Sequence, residues 1–474
     1  MAAMREHRIY LASIAVLITL RFVAGAVLPL SADEAYYWLW SKHLAFGYYD
    51  HPPAIAFLIR AGVALFGNTS FGVRFLPLLL SIAASGFVWR SAALLLRDER
   101  AGALSCLLFN LTPMIAVETM AATPDAPLIV CSAGFLWALA NVQETQTGRW
   151  WFAVGIAGGL ALLSKYTAFF LGAGALAWIA FVPSARRWLL SPWPYLGAIL
   201  AFVIFAPNLV WNAQHHWMTF AFQFGRVGTG HFTLRFLAEF IGAQLLLSTP
   251  FILVCGASGI SRKSMSVLAA LILPSVAYFA IHSLHDRVQG NWPCFLYPAL
   301  AVAAAGAMLS SGRGFFEKWS ARLAVPVAAV LLVLCYLQAL FEVLPIGRKD
   351  PFARLLASGF VAVARQAEDL HPAALLTTDY ETTAWLAFYG RVTVVQINEE
   401  DRWSTSPATS RELLGGPLIY IVPRNRARQT LVSDHFRDVV PLDGIDRMTH
   451  GEVIEHYDVY RVEGLRGAPI GRMP

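Results

Sequence analysis

The residues Ser31-Ala32-Asp33-Glu34-Ala35-Tyr36-Tyr37-Trp38 set two adjacent carboxylates ahead of a run of aromatics. The pair follows an apolar stretch directly, within about one helical turn of its end. An ionised group at such a level is costly unless it is paired or hydrated. One chemistry open to Asp33 and Glu34 is proton abstraction, because aromatics packed behind a carboxylate lower the local dielectric and raise its pKa towards the range of a general base. The other is structural, since acids in a first helical turn cap it and favour its positive end.

The same loop continues as Gly47-Tyr48-Tyr49-Asp50-His51-Pro52-Pro53. Two prolines fix the backbone and start a helix rigidly, so Asp50 and His51 project from a stiff corner. They serve there as interfacial anchors, or His51 donates to a phosphate through its ring nitrogens, with Tyr49 and Asp50 beside the donor. A third acid, Asp125, stands in Thr123-Pro124-Asp125 at a helix start, and Glu118 precedes it. Asp125 either favours that helix terminus or joins Asp33 at the same membrane level. Lys165 lies between apolar runs, where it snorkels to headgroups or pairs with an anion. Arg74, Arg226, Arg235, Arg287 and Lys42 add positive charge that suits an anionic ligand or acidic lipid. In His285-Asp286-Arg287-Val288-Gln289-Gly290-Asn291-Trp292-Pro293, Arg287, Gln289 and Asn291 suit sugar hydroxyls or phosphate, or form a solvated turn. His215, His216 and His231 lack acidic partners at metal-ligand spacing, and a divalent ion as cofactor is left open.

These side chains need membrane elements to position them. The chain is 57% hydrophobic and 14% charged over 474 residues, well below the quarter or so of charged residues usual in soluble domains. Apolar runs long enough to span fall near residues 9–29, 71–96, 101–117, 124–141, 151–163, 166–182, 192–211, 236–258, 265–284, 293–309 and 323–342, about eleven in all. The first lacks a small-residue cleavage site and reads as a retained helix. With the N-terminus cytoplasmic, each inner loop is basic: Arg97 and Arg100, Arg149, Arg186 and Arg187, Arg262 and Lys263, then Arg313, Lys318 and Arg322. That satisfies the positive-inside rule and explains the net charge of +6 without nucleic acid as a partner. The five cysteines form no CxxC pair, so neither a disulfide framework nor a thiolate metal site is indicated.

Two outer parts remain. Residues 31–70 form a long aromatic loop in which 53–66 is apolar but short, as for a helix lying at the interface. Residues 1–344 thus make a transmembrane domain with this first outer loop, and 345–474 a small α/β domain on the periplasmic side. In the latter, strands are expected at 375–378, 391–397, 417–422 and 453–462 and a helix at 381–389.

Residues 31–53 resemble the first luminal loop of GT-C fold glycosyltransferases, in particular protein O-mannosyltransferases and the bacterial enzymes that put aminoarabinose on lipid A. The acidic pair of that loop is matched by Asp33-Glu34 and the second acid by Asp125. The Lys-Pro of the lipid A enzymes aligns with His51-Pro52, a histidine standing for the lysine. Arg74 and Lys165 sit where such enzymes carry basic residues. The resemblance extends to about residue 172 and beyond that only to architecture. It implies a polyprenyl-phosphate sugar donor, a glycolipid or protein acceptor, an inverting single displacement at the outer face of the inner membrane, and membrane lipid around the helices. Asp33 then deprotonates the acceptor, and cationic side chains offset the charge on the leaving phosphate. No Gly-rich nucleotide cradle is present. A lipid-linked sugar transporter would show an inverted repeat and midplane polar groups, whereas the ionisable residues here gather at one face.

Overall fold

The computed structural model describes residues 2–225, 230–262, 265–311, 313–344 and 346–474. Arg226 and Lys263, expected in outer and inner loops, lie outside the described residues, as does residue 345 at the expected domain boundary. The chain divides into two compact units, residues 1–26, 50–58 and 74–336, and residues 27–49, 59–73 and 337–474.

The first unit is helical. Five helices of the described chain are long and apolar enough to cross a membrane: Glu6–Val27, Ser70–Leu96, Asp125–Thr145, Trp193–Gln214 and Phe315–Phe341. A broken pair, Arg235–Ser248 and Pro250–Ile260, would make a sixth. Shorter apolar helices include Trp150–Leu162, Tyr166–Phe181, Ser266–His282 and Cys294–Leu309. The protein is a multi-pass membrane protein.

Two of the apolar runs read from the sequence are interrupted, each at a proline. Residues 101–117 divide into Glu99–Leu111 and Pro113–Glu118, because Pro113 has no N–H for the ladder and pushes Thr112 into an extended conformation. Residues 236–258 bend by 96° at Thr249, whose φ is +68° and whose hydroxyl accepts from the Ile252 N–H to start the second helix. Hydropathy alone does not register such breaks, since proline removes a hydrogen bond without changing apolar character.

Within this unit Trp150–Leu162 packs on Trp193–Gln214 through glycine. A Cβ on Gly155 would strike the Gly197 carbonyl oxygen, and one on Gly197 the Trp151 carbonyl. Small residues let backbones approach where lipid leaves packing as the main source of association. Gly155→Val is expected to cost about 1–3 kcal/mol by overpacking. Gly86→Ala, which meets open space, is expected to melt at or above the wild-type temperature. Thermal unfolding in nanodiscs checks both.

The second unit carries a six-stranded sheet of β1 (Ala374–Thr377), β2 (Val394–Gln396), β3 (Leu418–Pro423), β4 (Phe436–Pro441), β5 (Ile445–Thr449) and β6 (Glu452–Leu465). The order is β2-β1-β3-β6-β4, with β5 also on β6. The first three strands pair in parallel, Leu375 opposite both Val394 and Ile419, and β6 runs antiparallel to β3, β4 and β5. The buried strands β1, β2 and β3 and the long β6 correspond to the four expected from sequence. β4 and β5 were not expected, because their exposed faces carry Arg437, Asp438 and Asp446 and dilute the apolar pattern. Helix Tyr380–Tyr389 connects β1 to β2 and packs on Ala32–Lys42. The Leu30 carbonyl accepts from the Ala357 N–H at 2.9 Å and Trp385 Nε1 at 3.3 Å. These bonds fasten the start of the first loop to the C-terminal segment.

Candidate active site

Asp33 and Glu34 open the Ala32–Lys42 helix but do different things there. Ser31 is the N-cap: its hydroxyl accepts from the Glu34 N–H, and Glu34 Oε2 accepts from the Ser31 N–H at 2.9 Å. This reciprocal capping box takes the buried Glu34 carboxylate into the backbone. Asp33, one position earlier, is exposed and turns its Oδ1 to the Tyr380 hydroxyl, 3.1 Å away. Of the two candidate acids, the geometry leaves Asp33 facing outward for chemistry and gives Glu34 a structural task. Because Gln also closes a capping box, Glu34→Gln is expected to keep both stability and activity. Glu34→Ala is expected to lower stability by about 1 kcal/mol, read from the melting temperature.

Beside Tyr380 an aromatic cage encloses Arg402. The Arg402 guanidinium lies 4.8 Å from the Tyr380 ring, 5.1 Å from Tyr49 and 5.5 Å from Tyr36. Glu399 pairs with it at 2.9 Å. Tyr36 meets Tyr380 at 5.3 Å and Trp403 at 5.2 Å. Burial, and next the charge on Asp33, push the Tyr380 hydroxyl well above the ordinary tyrosine range. It therefore stays protonated at neutral pH and keeps donating to Asp33. Tyr49, expected near the donor, is here a wall of the arginine's aromatic box.

The helical unit gathers a second cluster. Asp125 is 2% exposed and Lys165 8%, and Lys165 Nζ lies 2.8 Å from both carboxylate oxygens. Asn291 Nδ2 donates to Oδ2 at 2.9 Å, and Cys294 Sγ to Oδ1 at 3.1 Å. Lys165 therefore does not snorkel. It sits in the turn after Trp150–Leu162, and its charge is compensated inside the protein. The loop corner is tied to this turn, for the Ala54 N–H behind Pro52-Pro53 donates to the Leu163 carbonyl at 3.0 Å. Asp50 is buried, its backbone carbonyl accepting from Gln223 Nε2 at 2.5 Å, and His51 is half-buried.

The other expected cations are placed differently. Arg74 is fully buried and donates to the Gly25 carbonyl at 3.1 Å. Arg287 is exposed and pairs with Glu239 at 2.9 Å, as does Arg235. Lys42 stacks 3.9 Å over Trp38. The positive charge expected to serve an anion is thus partly offset at Arg235 and Arg287 by Glu239, an acid inside an apolar run. Of Arg287, Gln289 and Asn291, Asn291 reaches the Asp125 cluster, whereas Arg287 turns to Glu239. No three His, Cys, Asp or Glu side chains among the described residues are arranged to hold a metal.

Comparisons with known proteins bear on the fold and the reaction class. Residues 50–211 match the family model described as dolichyl-phosphate-mannose-protein mannosyltransferase. The lipid A galacturonosyltransferase RgtD of Rhizobium johnstonii is 26% identical over 74% of this chain and 73% of its own. The lipopolysaccharide core galacturonosyltransferase RgtA of the same organism is 28% identical over 76% of each. The structure of ArnT from Cupriavidus metallidurans bound to undecaprenyl phosphate superposes with a TM-score of 0.67 at 16% identity, covering 95% of this chain and 97% of that one. The chain is a GT-C fold glycosyltransferase. In this glycosyltransferase the sequence motifs account for Asp33, Glu34, Asp125 and Lys165, whereas Tyr380, Arg402, Trp403 and Cys294 went unnoticed. The run Glu399-Glu400-Asp401-Arg402-Trp403 was the available signal, a lone arginine among acids beside a tryptophan. Cys294 had none, being one of five cysteines in apolar surroundings.

Proposed function

We propose that the glycosyltransferase moves a uronic acid from a polyprenyl-phosphate carrier to lipid A or the lipopolysaccharide core, at the periplasmic face of the inner membrane. The observation that carries this reading is the similarity to two galacturonosyltransferases over about three quarters of both chains. The fold match to an enzyme crystallised with undecaprenyl phosphate fits a lipid-phosphate donor. The N-terminus is cytoplasmic in this reading, as the basic inner loops require.

Asp33 takes the proton of the acceptor hydroxyl as that oxygen attacks the anomeric carbon. The bond from that carbon to the carrier phosphate breaks, and the polyprenyl phosphate leaves with the electron pair. The product has the inverted anomeric configuration. The Tyr380 hydroxyl orients the Asp33 carboxylate through its bond to Oδ1. His51 is assigned to the donor phosphate. Lys165 and Asn291 act through Asp125, holding its carboxylate in one orientation as positioning residues. The family match to protein mannosyltransferases favours a second reading with a protein hydroxyl as acceptor.

The test is mass spectrometry of envelope lipids. A deletion strain is expected to lack one hexuronic acid on lipid A or core, restored by the wild-type gene and not by Asp33→Asn. An unchanged lipid profile beside altered glycosylation of exported proteins would favour the second reading. Tyr380→Phe, which removes one hydrogen bond to the base, is expected to lower kcat about tenfold, in line with the ~1.5 kcal/mol of a charge-assisted bond. Steady-state kinetics of the purified variant checks this.

A further inference from the structure

The C-terminal segment holds a cavity of about 480 Å³ whose lining includes Thr378, Asp379, Tyr380, Glu399, Arg426 and Arg428. No step of the transfer uses it. Tyr380 is shared between this cavity and Asp33, to which its hydroxyl donates at 3.1 Å. The cavity is therefore one side chain from the proposed base.

Its polar groups are unevenly satisfied. Asp379 is the N-cap of Tyr380–Tyr389 and its Oδ1 accepts from the Thr382 N–H at 2.9 Å. Arg426 approaches the same Oδ1 at 3.5 Å and pairs with Glu381 at 2.9 Å. The other oxygen, Oδ2, is buried and has no hydrogen-bond partner among the described residues, in a side chain only 10% exposed. A buried acceptor left unpaired calls for a donor, and a turn of the Asp379 side chain that opens Oδ2 to the cavity lets a sugar hydroxyl supply one. Arg428 lines the same cavity, exposed and without an ion pair among the described residues. A planar guanidinium recognises phosphate or carboxylate through paired N–H groups. Hydroxyl acceptors beside an uncommitted arginine, next to the base, describe a site for a charged sugar.

We propose that this cavity binds an anionic sugar residue of the acceptor, its hydroxyls on Asp379 and its phosphate or carboxylate on Arg428, and so presents the acceptor to Asp33. The proposal rests on the reading of the protein as a transferase to an envelope glycolipid. Binding is measured by calorimetry on the full chain in nanodiscs, without donor. The probes are the bisphosphorylated glucosamine disaccharide, the same disaccharide without phosphates, and that neutral disaccharide bearing one uronic acid.

The wild type is expected to bind at least one anionic probe, and whichever binds names the anion. Arg428→Ala should weaken that binding at least tenfold. Asp379→Asn, which retains an N-cap side chain, should weaken it several-fold without lowering the melting temperature. Asp33→Asn should bind as the wild type does. Equal binding of the neutral disaccharide, no binding of either anionic probe, or undiminished binding by Arg428→Ala would overturn the proposal. The acceptor reading is judged separately, by wild-type transfer to lipid A. A protein that transfers but shows any of those three outcomes would sink the cavity alone.

Discussion

Asp33→Asn is expected to lower kcat for sugar transfer by about 10³-fold, within the range that a positioned base contributes. The substitution keeps the side-chain shape and an oxygen able to accept from Tyr380, so the 3.1 Å bond has a counterpart in the variant. What it removes is the capacity to take a proton. The melting temperature and the binding of undecaprenyl phosphate are therefore expected to stay at wild-type values. A variant that turned over normally would show that the acceptor loses its proton elsewhere. One that failed to fold would show that Asp33, and not only Glu34, maintains the start of the Ala32–Lys42 helix.

The second large effect is expected at Asp125. Asp125→Ala leaves the Lys165 ammonium buried without its counter-ion and deprives Asn291 and Cys294 of their acceptor. Breaking one side of a buried pair costs about 3–5 kcal/mol, most of it the uncompensated charge left behind. The double variant with Lys165→Met removes that charge and is expected to regain most of the lost stability. Thermal unfolding of the wild type, the two single variants and the double variant in nanodiscs measures the coupling directly. Equal melting temperatures for all four would mean that the pair is neither as dry nor as coupled as its geometry requires. Transfer by the double variant carries separate information. Restored stability with activity down at least a hundredfold assigns the cluster to the donor. Restored activity would make it a packing device.

The places where sequence reasoning succeeded and failed have physical causes. Asp125 and Lys165 each stood out because an ionisable group in an apolar run is expensive. Their spacing of forty residues gave no ground for joining them, so Lys165 read equally well as a snorkelling side chain. Asn291 was noticed for the right polarity but grouped with Arg287, which the structure turns to Glu239 instead. Glu34 shows the reverse difficulty. The Ser31-to-Glu34 spacing is that of a capping box, yet two adjacent carboxylates read alike until backbone geometry separates a buried cap from an exposed acid. The breaks at Pro113 and Pro250 went unread because hydropathy ignores the missing N–H. Arg402 was invisible for a plainer reason: its value lies in three tyrosine faces drawn from residues 36, 49 and 380, and no local pattern encodes that meeting.

The most direct test of the central claim is a transfer assay with the purified chain in nanodiscs, lipid A as acceptor, and galacturonic acid labelled in two donors, polyprenyl phosphate and uridine diphosphate. The expected result is label on lipid A from the lipid-linked donor alone, one free polyprenyl phosphate released per sugar moved, and an inverted anomeric centre by NMR. Transfer from the nucleotide donor, or retention of configuration, would contradict the account.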